Sequence, residues 1–284
     1  MTTLHPSEHK AVAQYIHAIS AIQLEPAKAY LIESRLGPIV AELGCKSYTD
    51  LIVHAHADRA GGLRRRIIDA ITTNETLFFR DNAPFELLRH KILPEIFDRR
   101  ARSGSRLPVR IWSAACSTGQ ELYTIAMVLK ELLGDASRYD VRLLGTDISD
   151  QAVAKASRGI YSQLEVSRGL EDKLLAKYFS RVADGWKVRD DLRGVASFKT
   201  LNLMQDFSGL GRFDIVFCRN VSIYFAEQDR KSLFQRIERA MEPDGYLLVG
   251  AMESIGTIAP QFDAKRHLRS VFYQSKAAPG GGSR

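Results

Sequence analysis

The chain has 284 residues, 45% of them apolar and 26% charged. Those proportions exclude a collagen-like, low-complexity or disordered polymer and leave room for one large or two smaller packed domains. The formal net charge of +7 favours an acidic partner, whether nucleic acid, membrane surface or protein, and serves ordinary solubility equally well.

Three cysteines, Cys45, Cys116 and Cys218, are odd in number and widely spaced. They fit neither a disulfide framework nor a zinc pattern, so a reducing, cytoplasmic setting is expected. The first residues carry no signal-peptide apolar run, and no segment is long enough to insert in a membrane.

Residues 1–71 read as a small all-helical domain. Val12, Tyr15, Ile16 and Ile19 repeat at helical spacing behind Ser7, the expected N-cap. A second helix is expected from Pro26 through Leu36, with Gly37-Pro38 kinking or restarting it. Ser47 and Asp50 mark the start of a third, and Leu63–Ile71 reads as a fourth after Gly61-Gly62. His54 and His56 fall on different helix faces with no third ligand expected nearby, so no metal site is predicted.

Residues 72–276 change rhythm. Strand Val109–Ala114 precedes helix Glu121–Leu133, strand Val141–Thr146 precedes helix Asp150–Ser157, and strand Phe213–Cys218 precedes helix Glu227–Met241. Strands Tyr246–Ala251 and Ser270–Gln274 follow. This alternation predicts an α/β domain: a mostly parallel sheet with helices on both faces. Gly185–Arg189 and Val195–Leu201 flank Asp190–Gly194 and read as an antiparallel excursion, an inserted β-subdomain over about 182–201. The Gly/Pro-rich stretch 277–284 is expected to be a flexible tail.

Chemistry is most legible in Arg110-Ile-Trp-Ser-Ala-Ala-Cys-Ser-Thr-Gly-Gln-Glu121, a buried strand running into a turn of small residues and then a helix. Asp147 closes the next strand, where a carboxylate grips ribose hydroxyls in nucleotide-binding sheets. The turn has only Gly119 and is not a pyrophosphate-cradling G-x-G-x-x-G. A phosphate-free adenosyl ligand such as S-adenosylmethionine meets this constraint. Glu121 is also favoured simply by the helix dipole. Arg219-Asn220 ends the third parallel strand, at the edge where open α/β sheets bind ligands, and Tyr224 follows. On local evidence Asn220 serves equally as a turn cap and Tyr224 as a core residue. Asn74, Thr76 and Arg80 offer donors at the junction of the two domains, a common site position, although a capped turn explains them as well. The basic runs Arg64–Arg66 and Arg99–Arg102 read chiefly as solvated faces, with the first able to meet an acidic helix.

Five blocks in order give this chain a resemblance to the CheR family, the chemotaxis receptor methyltransferases. They are Thr72–Arg80, Trp112–Glu121, Gly145–Ile148, Leu201–Leu203 and Phe217–Phe225. The resemblance implies a helical N-terminal domain, a class I (Rossmann-like) methyltransferase sheet and an inserted β-subdomain. It implies that Asn74, Thr76, Arg80, Glu121, Asp147, Asn202, Leu203, Arg219 and Asn220 surround S-adenosylmethionine, with Arg80 and Tyr224 facing the transferring methyl. The implied substrate is glutamate on the cytoplasmic helices of chemoreceptors, with S-adenosylhomocysteine as the second product. Leu122 stands where proline is usual, and Cys116 replaces a small apolar residue. The helix near Arg35 lacks the run of arginines seen in enteric-type members. The Val182–Gly185 loop is shorter than in members that tether a receptor's C-terminal pentapeptide, so no tether is expected. A nucleic-acid methyltransferase competes on net charge, but lacks an amino-methylation tetrapeptide and aromatic platforms. A non-catalytic adenosyl-ligand sensor competes because fold does not fix function.

Overall fold

The structure is a computed structural model that describes residues 3–104, 107–134 and 140–276; the expected tail at 277–284 lies outside the described residues. The first four helices are α1 (Pro6–Ser20), α2 (Ala29–Glu42), α3 (Tyr48–Ala57) and α4 (Gly62–Ile71). Val12, Tyr15, Ile16 and Ile19 are all buried, as the helical spacing predicts. The cap of α1 is His5 rather than Ser7: the His5 ring accepts from the Ser7 N–H and Glu8 accepts from the His5 N–H. Pro6, with φ fixed and no N–H to satisfy, starts the helix two residues earlier. A short 3₁₀ turn, Pro26–Lys28, leads into α2, which runs unbroken through Pro38. Ile32, Leu36, Ile39 and Val40 are buried on both sides of the proline, and their packing outweighs the one lost hydrogen bond. Ser47 caps α3 as expected, its Oγ accepting from the Asp50 N–H at 3.1 Å.

Between 82 and 104 lies a helical rod that sequence reading assigned to no element. It comprises α5 (Ala83–Leu87), a π turn (Leu88–Ile92) and α6 (Leu93–Ser103). Pro84 and Pro94 sit in the first turns of its pieces, where proline starts helices but also reads as punctuation.

The main sheet has seven strands in the order β6-β2-β1-β7-β8-β10-β9. Their ranges are β1 (Val109–Ala114), β2 (Val141–Asp147), β6 (Ala196–Thr200), β7 (Phe213–Cys218), β8 (Met241–Val249), β9 (Phe262–His267) and β10 (Ser270–Ser275). The first five are mutually parallel and β10 is antiparallel to both neighbours. The strands β1 and β7 are buried almost throughout, as parallel strands covered on both faces must be. Helices α7 (Gln120–Leu133), α8 (Asp150–Arg158) and α12 (Glu227–Arg239) match the predicted crossovers.

A separate three-stranded antiparallel sheet, ordered β3-β5-β4, is formed by β3 (Ile160–Tyr161), β4 (Phe179–Val182) and β5 (Gly185–Val188). The expected pairing of Gly185–Arg189 with Val195–Leu201 is therefore corrected. The first segment pairs with Phe179–Val182 and Ile160–Tyr161, whereas Ala196–Thr200 lies parallel to β2 at the edge of the main sheet. The β-subdomain strands thus fall at 160–161 and 179–188, not across 182–201. The turn α11 (Asp190–Arg193) redirects the chain, and alternation within a strand does not say which sheet it joins. Gly185, at φ 140°, is required here: a Cβ would stand 2.2 Å from the Tyr161 carbonyl oxygen. Helices α9 (Gln163–Ser167) and α10 (Asp172–Tyr178) connect β3 to β4.

Candidate active site at the carboxyl edge of the sheet

The parallel strands all deliver their C-terminal ends to one edge, and the chain reverses its direction of travel across the sheet between β1 and β7. That switch point is where open α/β sheets leave a crevice. A cleft lies there, and all ten residues singled out from sequence line it: Asn74, Thr76, Arg80, Glu121, Asp147, Asn202, Leu203, Arg219, Asn220 and Tyr224. The helical domain supplies part of the lining through Ile22, Leu31 and Arg35.

The turn after β1 is bent by two non-glycine residues in left-handed backbone, Ala115 (φ 61°) and Ser117 (φ 51°). This turns the Ser117 N–H onto Asp147 Oδ2 at 2.8 Å, while the Ser149 N–H reaches Oδ1 at 3.0 Å. Asp147 is buried, and burial raises its pKa above the ordinary range against the opposing pull of these N–H groups. A carboxylate has about four acceptor positions, so two are left for ligand hydroxyls. A Cβ at Gly119 would lie 2.8 Å from that of Ala156, so its small size serves the packing of α7 against α8.

Arg219 and Glu121 form a buried ion pair at 2.9 Å. The Ser113 hydroxyl donates to the other Glu121 oxygen at 2.7 Å. The second Arg219 terminal nitrogen donates to the Arg80 carbonyl at 2.8 Å and to Asp81 at 3.0 Å. Its buried Nε–H has no acceptor among the described residues. A ligand carboxylate meets that need, as ligand hydroxyls meet the spare capacity of Asp147. These two unmet polar demands fit S-adenosylmethionine.

Asn220 stands at φ 57°, and its N–H donates to Glu253 at 2.6 Å. The same carboxylate accepts from the Gly250 N–H at 2.7 Å and the Ser222 hydroxyl at 2.8 Å. A Cβ at Gly250 would meet the Asn220 amide nitrogen at 2.6 Å, so glycine is demanded there. Glu253 and Asp81 escaped the sequence reading. Glu253 follows an apolar strand as Asp147 does, and that shared signal could have found it. Asn202 lines the cleft, but its side chain is committed elsewhere: its amide donates to the Ile19 carbonyl at 3.0 Å and accepts from the Met204 N–H at 2.9 Å. It fastens the helical domain to the sheet. The Gln23 N–H does the same on the Tyr224 carbonyl at 2.9 Å. The side chains of Tyr224, Asn74 and Thr76 have no hydrogen-bond partner among the described residues, and Arg80 donates only to the Glu75 carbonyl at 3.1 Å.

Burial pushes the Cys116 and Cys218 thiols well up. Both stay protonated and act as small apolar residues, so neither is a thiolate nucleophile. His54 is nearer to ligand-type groups than its sequence suggests: its Nδ1 lies 3.2 Å from Cys45 Sγ, with Asp50 in the same cluster. The basic runs are largely neutralised, Arg66 by Glu42, Arg99 by Asp244 and Arg100 by Asp214.

Removing one member of a buried ion pair strands the other charge. Glu121→Ala is expected to lower unfolding free energy by about 3–5 kcal/mol in urea, with Glu121→Ala/Arg219→Met recovering most of that loss. Additive losses in the double variant would contradict the coupling.

Residues 74–269 match the family described as CheR methyltransferase, SAM binding domain, and residues 7–72 match CheR methyltransferase, all-alpha domain. The chain is 38% identical over 267 residues to the chemotaxis protein methyltransferase Cher2 of Pseudomonas putida, covering 92% of this chain and 95% of that one. It is 36% identical over 277 residues to chemotaxis protein methyltransferase 1 of Vibrio cholerae, covering 96% and 98%. A match to a Borreliella burgdorferi chemotaxis protein methyltransferase is 38% identical over 237 residues, covering 82% and 83%. The two family matches and the near-complete span of these relatives agree with the cleft's unmet demands for an adenosyl ligand: the chain belongs to the CheR methyltransferase family, the S-adenosylmethionine-dependent methyltransferases of chemotaxis.

Proposed function

We propose that this protein methylates glutamate side chains on the cytoplasmic helices of chemoreceptors, giving glutamyl methyl esters in sensory adaptation. The observation that carries this reading is the cleft itself, lined by buried Asp147, by Arg80 and by Tyr224, which is 38% exposed. When bound, S-adenosylmethionine supplies a methyl on a sulfonium, and its transfer to a carboxylate oxygen replaces two opposite charges by an ester and a thioether.

In this reading Asp147 holds the ribose hydroxyls and Arg219 the ligand carboxylate. Asn74, Thr76, Leu203, Asn220 and the backbone at Asn202 shape the remaining walls. A substrate glutamate, with an ordinary pKa of about 4.3, is already ionised at neutral pH and needs no general base. Arg80 steers that carboxylate and the Tyr224 hydroxyl orients it, so the protein's contribution is alignment in a site that excludes water. Because charge vanishes in the reaction, a grip that strengthened with carboxylate charge would penalise attack. Arg80 meets this limit by sharing its guanidinium with the Glu75 carbonyl. The setting is cytoplasmic, in keeping with three free cysteines. Among the described residues no helix is long and apolar enough to cross a membrane. The β4–β5 turn contains only Ala183 and Asp184 between paired Val182 and Gly185, which supports action without a pentapeptide tether.

Calorimetry with S-adenosylmethionine and S-adenosylhomocysteine is expected to show saturable binding that collapses in Asp147→Ala. Wild type incubated with receptor cytoplasmic fragments should then yield base-labile methyl esters, and Arg80→Ala should lose about 10²-fold in kcat/KM, the scale of a misalignment. Binding without any ester would favour a sensor. Protonation of Asp147 competes with donation from ligand hydroxyls, and its pKa is raised. Affinity should therefore be flat near neutrality and decline as pH falls, starting above the range of an ordinary aspartate; Asp147→Asn should bind weakly without that decline. A receptor C-terminal pentapeptide is expected not to bind at micromolar concentration, and micromolar binding would contradict the untethered reading.

A further inference from the structure

Strand β9 runs parallel to β8 and returns through β10, so the β9–β10 turn stands at the same sheet edge as the cleft. Three features mark that turn. Leu268 is 80% exposed and holds φ 51°, a left-handed conformation that favours glycine and that gains nothing here from burial. Arg266 and Arg269 are exposed, and no carboxylate lies within ion-pair distance of either among the described residues. The turn is also fixed to the catalytic side of the molecule: the Ser270 hydroxyl donates to the Ala83 carbonyl at 2.9 Å, three residues beyond Arg80, and neighbouring Asp81 is held by Arg219.

A second apolar projection lies at this edge. Met252 is 94% exposed at the end of β8 and Ile223 is 54% exposed. Glu253, next to Met252, accepts from the Ser222 hydroxyl next to Ile223, so the loops bearing Met252 and Ile223 are held together. Apolar side chains at a rim bearing unpaired cations match a partner that is helical, apolar in stripes and acidic between them.

We infer that the β9–β10 turn, with Met252 and Ile223, forms a docking surface for the acidic helical segment that carries the substrate glutamate. This rests on the methylation reading above and names where its partner sits. Arg35 of α2 is turned inward onto the Ile71 carbonyl and the Thr73 hydroxyl and offers no charge to such a partner. At the β9–β10 turn the unpaired charge raises encounter rate and the apolar side chains give register.

The test compares Arg266→Glu/Arg269→Glu with a charge-matched control, Arg102→Glu/Arg142→Glu, whose residues lie toward the opposite edge of the sheet. Both change the net charge equally. Methylation of a receptor cytoplasmic fragment is measured against salt, beside calorimetric binding of S-adenosylhomocysteine. The expected result is a KM for the fragment raised at least tenfold in the first variant only, with kcat and S-adenosylhomocysteine affinity unchanged and the salt dependence reduced. Leu268→Ser should raise KM with the salt dependence intact. Equal effects of the two charge variants, or none in either, would overturn the inference while leaving the enzyme reading standing. Absence of methylation by wild type would instead remove the reading on which it rests. Sedimentation of wild type as a dimer that Leu268→Ser dissociates would assign the surface to self-association and also overturn it.

Discussion

The Arg219 guanidinium is almost wholly removed from water, and the architecture around the cleft follows from how its charge is met. Glu121, at the start of α7, supplies the countercharge, and Ser113 of β1 supports that carboxylate from behind. Asp81 and the Arg80 carbonyl take the other end. One side chain thus joins the central strand β7, the helix after β1 and the segment linking the two domains. A buried charge left unpaired is expensive, so these three pieces cannot drift apart without a large penalty. The segment bearing Arg80 is fixed by its backbone, and the Arg80 side chain, which donates to the Glu75 carbonyl, lines the cleft.

The same economy appears in the turns. Phe79, Asp81, Ala115, Ser117 and Asn220 all hold left-handed backbone without being glycine, and all lie on the loops at this sheet edge. Each such residue is strained, and the strain is held by specific acceptors. Asp147 fixes the turn containing Ser117, and Glu253 fixes Asn220 together with Gly250 and Ser222. Two buried carboxylates therefore hold backbone rather than cations. In Asp147 this leaves acceptor capacity pointed at the cleft, so a structural device and a ligand-binding one share a side chain.

The helical domain is part of the site. Asn202 and Tyr224 receive its α1 end through the Ile19 carbonyl and the Gln23 N–H. Asp69 accepts from Ser149 at 2.6 Å, and the N–H of that serine holds Asp147. Docking of the domain is coupled by contact to Asp147, which lines the cleft, so whatever orders one orders the other.

The sequence by itself determined the α/β alternation and the helical first domain, and its family resemblance implied ten of the residues that line the cleft. The first two signals are local: apolar runs of strand length and helical spacing in α1. It could not assign Ala196–Thr200 to the main sheet, because alternation does not say which free edge a strand joins, and the small sheet offers edges of its own. It could not anticipate α2 passing through Pro38, where burial of Ile39 and Val40 outweighs the local rule. Nor could it separate the residues lining the cleft by what their side chains do. Asn202 turned to Ile19, Gly119 yielded to Ala156, and Glu253 took three donors because distant segments came within hydrogen-bond range. Short-range patterning fixes which elements form. Which polar groups are left unmet at the cleft depends on contacts between residues as distant in sequence as Gln23 and Tyr224, and only tertiary packing decides those.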